Sequence, residues 1–151
     1  MSARYMVVDG HSVIFAWPDL RALHGRNRAA ARKALADHLQ HLHDTTFWRV
    51  TLVLDGKLGT AVPTGSSKGN DMVIAYATAD QTADSIIERL VAASGVAQEI
   101  LVITADEAEK LTVEALGAST ASPAWLRETL EREGSSFADE LGRVHRSARW
   151  K

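Results

Sequence analysis

The sequence predicts an α/β fold built on a central, mainly parallel sheet, and three observations predict it. Met6-Val7-Val8, Val50-Thr51-Leu52-Val53-Leu54 and Ile100-Leu101-Val102-Ile103 are short apolar runs rich in β-branched residues. Such runs suit strands covered by helices on both faces of a sheet. Stretches of helical spacing alternate with them, which is the pattern of α/β domains. Each run ends at or just before an acid: Asp9, Asp55 and Asp106.

At 151 residues and 46% hydrophobic content, one domain with a substantial core is expected. Its bounds are read as residues 1–134, followed by a basic tail, 135–151, that forms a short helix or an unfolded arm. No apolar run approaches a membrane span, and Met1-Ser2-Ala3-Arg4 leads into the first strand without a signal-peptide pattern, so a cytoplasmic protein is expected. With no cysteine, disulfides and thiolate metal sites are excluded, and any metal must rest on carboxylates. The net charge of −2 does not mark a nucleic-acid binder, but its distribution is uneven. Arg21, Arg26, Arg28, Arg32 and Lys33 occur without an intervening acid, and Arg143, Arg146, Arg149 and Lys151 form a second basic group. Both are candidate phosphate contacts, although such clusters are commonly only solvated faces.

In chain order, Tyr5 to Val8 form the first strand, with Asp9-Gly10 at its exit. Val13 to Pro18 is expected to cross the top of the sheet as a loop or short turn, because Pro18 disfavours helix at Trp17. From Asn27 to about His43, Ala31, Leu35, Leu39 and Leu42 mark one amphipathic helix. Its His38, His41 and His43 fit a polar helix face better than a zinc site, which would need further ligands. The second strand ends on Asp55-Gly56, repeating the Asp-Gly exit of the first. Two buried strands joined by a long helix make a right-handed parallel unit, which brings Asp9 and Asp55 to one sheet edge. Residues 56–70 read as a flexible loop and match neither a phosphate-binding loop nor a dinucleotide fingerprint, so no nucleotide cofactor is expected.

Met72 to Ala77 is a third strand. Thr82 caps a following helix whose apolar face is Ile86, Ile87, Leu90 and Val91, with Asp84 in its first turn and Glu88 one turn later. The strand from Ile100 leads to Asp106, and a helix from Glu107 ends near Gly117. Ala118 to Thr120 form a short last strand, and Ser122-Pro123 opens a helix reaching about Glu133.

Each acid has a bland explanation as a turn, a cap or a helix-dipole partner. Together, Asp9, Asp55, Asp84 and Asp106 would converge on one crevice beyond the carboxyl ends of the strands. Such a cluster calls for a divalent cation, Mg²⁺ or Mn²⁺, and the chemistry that uses one is phosphoester cleavage.

Val8-Asp9-Gly10-His11-Ser12-Val13-Ile14, Ala16-Trp17-Pro18, Val53-Leu54-Asp55, Thr82-Ala83-Asp84-Ser85-Ile86-Ile87-Glu88 and Thr104-Ala105-Asp106 resemble, in order and spacing, the YacP-like NYN domains of the PIN-like ribonuclease group. The resemblance covers roughly residues 5–131. It implies a PIN-like three-layer α/β/α sandwich and a metal-dependent endoribonuclease acting on RNA engaged with the translation machinery. It also implies that Asp9, Asp84 and Asp106 hold the metal, that Asp55 is a further catalytic acid, and that Glu88 is auxiliary. In this reading His11 and Ser12 position phosphate or water, Arg21, Arg26, Arg28 and Arg32 attract the RNA backbone, and Trp17 stacks a base. The family pattern usually has asparagine where this chain has Ser12, which motivates an alternative: an RNA- or ribosome-binding module of the same fold with weak or no cleavage. A phosphatase or phospho-acceptor site fits less well, because His11 stands where a second aspartate would be wanted.

Overall fold

A computed structural model describes residues 4–56, 72–78 and 80–133. Five strands form one parallel sheet: β1 (Tyr5–Asp9), β2 (Arg49–Asp55), β3 (Val73–Ala77), β4 (Ile100–Ile103) and β5 (Ser119–Ala121), in the order β3-β2-β1-β4-β5. β1 is therefore central, and the chain leaves it toward β2 first and only later fills the other side with β4. That reversal opens a crevice between the carboxyl ends of β1 and β4, where α/β sheets bind ligands.

Side chains alternate across the sheet and sort the core into two layers. Met6, Val8, Leu52, Leu54, Leu101 and Ile103 face one side, against α1 (Gly10–Ala16), α2 (Pro18–Arg26), α3 (Arg28–Thr45) and α6 (residues 123–133). Val7, Val53 and Val102 face the other, against α4 (Ala83–Ser94) and α5 (Glu107–Ala115). The expected three-layer sandwich is the observed one. By the same alternation Asp9, Asp55 and Thr104 point into the α4–α5 layer, continuing the rows of Val7, Val53 and Val102.

The helix boundaries follow the capping signals. Asn27 caps α3 through Ala30 N, Thr82 and Ser85 form a capping box on α4, and Gly95 ends α4 at a φ of 74°. Trp125 N donates to Ser122 Oγ at the start of α6. One expectation is corrected: the segment from Val13 is helical, as α1, rather than a loop. Pro18 does keep Trp17 extended, at φ −93° and ψ 117°, but that single residue closes α1 and opens α2, with Pro18 at the first position of α2. The histidines of α3 also divide: His43 is buried and its Nδ1 accepts from Val50 N at 3.1 Å, so it ties the helix to β2. The loop after Gly56 and the basic tail lie outside the described residues, as does the expected boundary at residue 134. Among the described residues no helix is long and apolar enough to cross a membrane.

Candidate acidic active site

Both Asp-Gly exits are built for close packing. A Cβ at Gly10 would lie 2.5 Å from Leu54 Cδ2, and one at Gly56 would collide with the carbonyl oxygen of Ala77. Glycine at these points lets the chain turn off β1 and β2 without pushing the strands apart, and so sets where Asp9 and Asp55 stand.

Asp9 is 4% exposed and caps α1, accepting from Ser12 N at 3.5 Å and from Ser12 Oγ at 2.9 Å. Ser12 Oγ in turn accepts from Ala105 N at 3.1 Å, so one hydroxyl joins α1 to the turn after β4. Thr104 Oγ1 accepts from Asp106 N at 3.1 Å and lies 3.2 Å from Asp9 Oδ2 and 3.0 Å from Glu109 Oε1. Its single hydrogen serves one of those carboxylates at a time. Asp106 caps α5, its Oδ1 accepting from Ala108 N and Glu109 N at 2.9 and 3.2 Å.

The tightest acidic group is Asp9, Asp84 and Glu109, each offering an oxygen within 4.8 Å of the others. Glu109 was not singled out in the sequence, where Glu107-Ala108-Glu109-Lys110 reads as an ordinary charged helix start. The available signal is phase. Glu109 precedes buried Val113 by one turn, and Asp84 precedes buried Ile87 and Val91, so both carboxylates occupy first-turn positions of a helix's inward stripe. A capping-box glutamate would have reached back to Asp106 N, but Thr104 takes that donor and Glu109 turns inward.

The electrostatic consequences are direct. Burial pushes the Glu109 carboxyl up to about 9, with the adjoining Asp84 and Asp9 adding to the effect. Asp84 is also raised, by burial first, with Asp9 and Asp106 adding repulsion against a stabilising contact from Glu109. Glu109 Oε2 is buried with no hydrogen-bond partner among the described residues. An orphaned carboxylate oxygen beside two more carboxylates, all oxygen donors, fits a hard divalent cation better than any protein group nearby.

Asp9 and Asp84 of this group line an open cleft of about 340 Å³ together with His11, Ser12, Asp55, Gln81, Thr82 and Asp106, while the buried Glu109 lies behind its lining. The cleft thus brings together the four predicted aspartates with His11 and Ser12. Glu88 lies outside the tight acidic group. Trp17 is not at the cleft. It is 3% exposed, donates from Nε1 to Pro123 O at 2.9 Å, and carries the Arg127 guanidinium 4.6 Å above its ring. Its faces are used inside the protein, which removes it as a base-stacking surface. Arg21, Arg26 and Arg28 are exposed and Arg32 half-buried, and among the described residues none of them forms an ion pair, while Lys33 pairs with Asp37 at 3.2 Å.

Known proteins share this sequence pattern and fold. The model of the YacP-like NYN domain matches residues 6–151. Uncharacterized protein YacP of Bacillus subtilis is 31% identical over 131 residues, spanning 84% of this chain and 76% of that protein. The crystal structure of Rae1 (YacP) from Bacillus subtilis superposes with a TM-score of 0.81 at 25% identity, covering 99% of this chain and 84% of that one. A single-substitution variant of the same protein gives 0.78 over 93% and 82%. The family match spans nearly the whole chain, the Bacillus subtilis relative is 31% identical over 84% of it, and the chain belongs to the YacP-like NYN domain family.

Proposed function

We propose that this protein is a metal-dependent endoribonuclease that hydrolyses RNA phosphodiester bonds at the cleft beyond β1 and β4. The observation that carries the reading is the convergence of Asp9, Asp84 and Glu109 within 4.8 Å around an unpartnered buried carboxylate oxygen. Asp9, Asp84 and Glu109 would hold the ion, with Asp106 beside Asp84, and the all-oxygen donor set suits Mg²⁺ or Mn²⁺. Such an ion supplies charge neutralisation at phosphate and acidifies a water.

The chain's own residues then have distinct tasks. Ser12 holds the Asp9 carboxylate in one orientation, and the Thr104 hydroxyl is shared between Asp9 and Glu109. Asp106 is fixed by two backbone donors of α5, so its charge is aimed at the cleft and not free to swing. Asp55, at the end of β2 on the cleft wall, is placed to orient the attacking water or take its proton. His11 stands at the same wall to meet a phosphate oxygen. Arg21, Arg26, Arg28 and Arg32 supply the field that draws a polyanion past an acidic centre.

A labelled single-stranded RNA incubated with Mn²⁺, Mg²⁺ or chelator, beside an Asp84→Asn variant, tests the reading. Cleavage that requires metal and falls at least about 100-fold in the variant supports it; cleavage equal in both proteins refutes it.

A second reading, an RNA-binding module with weak or absent cleavage, is favoured by one observation. The Ser12 hydroxyl is spent on Asp9 and Ala105, so position 12 presents no group to a phosphate. Under this reading Asp84→Asn leaves RNA binding unchanged or stronger, and Ser12→Asn gains cleavage. Ribosome association is a separate expectation, checked by co-sedimentation with ribosomes.

A further inference from the structure

We propose that His11, Phe15 and His24 form a surface stacking platform for the bases of a single-stranded RNA leaving the acidic cleft, with Arg28 and Arg32 beside it on the sugar–phosphate backbone. The inference rests on the nuclease reading for its ligand, but the site itself lies on α1 and α2, outside the acidic group.

Phe15 is 39% exposed and belongs to neither apolar cluster of the core. An exposed phenylalanine alone means little. This one sits between two imidazoles. Its ring centroid is 4.5 Å from that of His11, one helical turn earlier, and 4.8 Å from that of His24, which meets it edge-on at 63°. The row begins at the cleft, because His11 is part of the cleft wall. It ends among cations: His24 is kept below the usual imidazole range by burial first, then by the charges of Arg28, His11 and Arg32. Burial and the neighbouring charges favour the neutral form of His24, which stacks well, and Arg28 and Arg32 beside it are available to phosphate.

The spacing decides how bases would be held. A base intercalated between two rings needs a gap of roughly 7 Å, twice the ~3.4 Å nucleotide rise, and centroids 4.5 and 4.8 Å apart leave no such gap. Bases therefore stack on the outward faces of the row. Only unpaired bases offer a free face to such a surface, which selects single strands over duplex. The platform takes over the role that the sequence suggested for Trp17, whose ring is enclosed.

The test is binding of a short labelled single-stranded RNA in chelator, read by fluorescence anisotropy, for the full chain and its Phe15→Ala and Phe15→Trp variants. The same backbone carrying abasic sites serves as the second probe. Phe15→Ala should weaken binding of the base-bearing RNA about tenfold or more, Phe15→Trp should restore it, and all three proteins should bind the abasic strand alike. Equal binding of base-bearing RNA by wild type and Phe15→Ala overturns the platform, as does an equal loss on the abasic strand or a loss that Phe15→Trp does not repair. Cleavage assays on the same proteins separate the two readings. Wild type that cleaves, with binding indifferent to Phe15, removes the platform and keeps the nuclease. Phe15-dependent binding without cleavage keeps the platform and removes the nuclease. Wild type that binds no RNA removes both.

Discussion

An ionised carboxylate sealed from water costs several kcal/mol unless something compensates it, and the Glu109 carboxyl, 2% exposed, is driven toward its protonated form. In the unfolded chain its carboxyl ionises near 4.5, whereas in the fold it holds its proton up to about 9. Unfolding between those values releases a proton, so in chelator stability should fall as pH rises through that window. Asp84, raised for the same reason, adds to the slope. Glu109→Gln keeps the shape and removes the titration. Its melting temperature in chelator at pH 8 should exceed that of wild type by at least about 3 °C, while Mg²⁺ should stabilise wild type and leave the variant nearly unmoved. Thermal melts at pH 5 and pH 8 with and without the ion decide it, and a variant that melts lower at both refutes the assignment. The four aspartates were legible because each follows a strand or opens a helix, positions where position alone argues for a crevice. Glu109 was not, because a glutamate at the third position of a helix has a sufficient reason in the dipole, and only the burial of Val113 one turn on shows which way it faces.

At the scale of elements, the Asp-Gly exits make a contrast that stability measurements can read. Gly25, near the end of α2, has nothing within 4 Å of an added Cβ, so Gly25→Ala should stabilise by about 0.5–1 kcal/mol. Gly56→Ala drives a methyl group into the backbone of Ala77 and should cost about 1–3 kcal/mol by prying β2 from β3. Urea denaturation of both variants checks the pair; a Gly56→Ala protein as stable as wild type would mean that the strand ends are slack. Strands and most helices could be read from apolar runs and caps, since both signals are local. Neither α1 nor α2 was read, and α1 shows how a correct local rule is overextended. Pro18 constrains Trp17, and it does so in the structure, but it says nothing about Ala16 and the residues before it. What makes those residues a helix is tertiary: Val13 and Ile14 are buried against the sheet, and Asp9 caps them.

Across the whole molecule, α6 is clamped to the start of α2. Arg127 pairs with both oxygens of Asp19, at 2.8 and 3.1 Å, and covers Trp17, whose indole donates to the carbonyl that opens α6. The ion pair is substantially exposed, so solvent screens it, and Arg127→Met should cost about 1–2 kcal/mol in all, with the ring contact contributing. Arg127 holds the Asp19 carboxyl below its ordinary 3.8, so that part of the stabilisation is present above about pH 4 and is lost as pH falls through the lower folded value. The gap between wild type and variant in melting temperature should therefore narrow in acid and at high salt. The central position of β1 has a different kind of consequence. Asp9 is made early, but its strand neighbours and the carboxylates that join it come from Val50, Asp84, Ile100 and Glu109, far along the chain. A growing polypeptide therefore carries no assembled acidic centre until the chain has been made through Glu109.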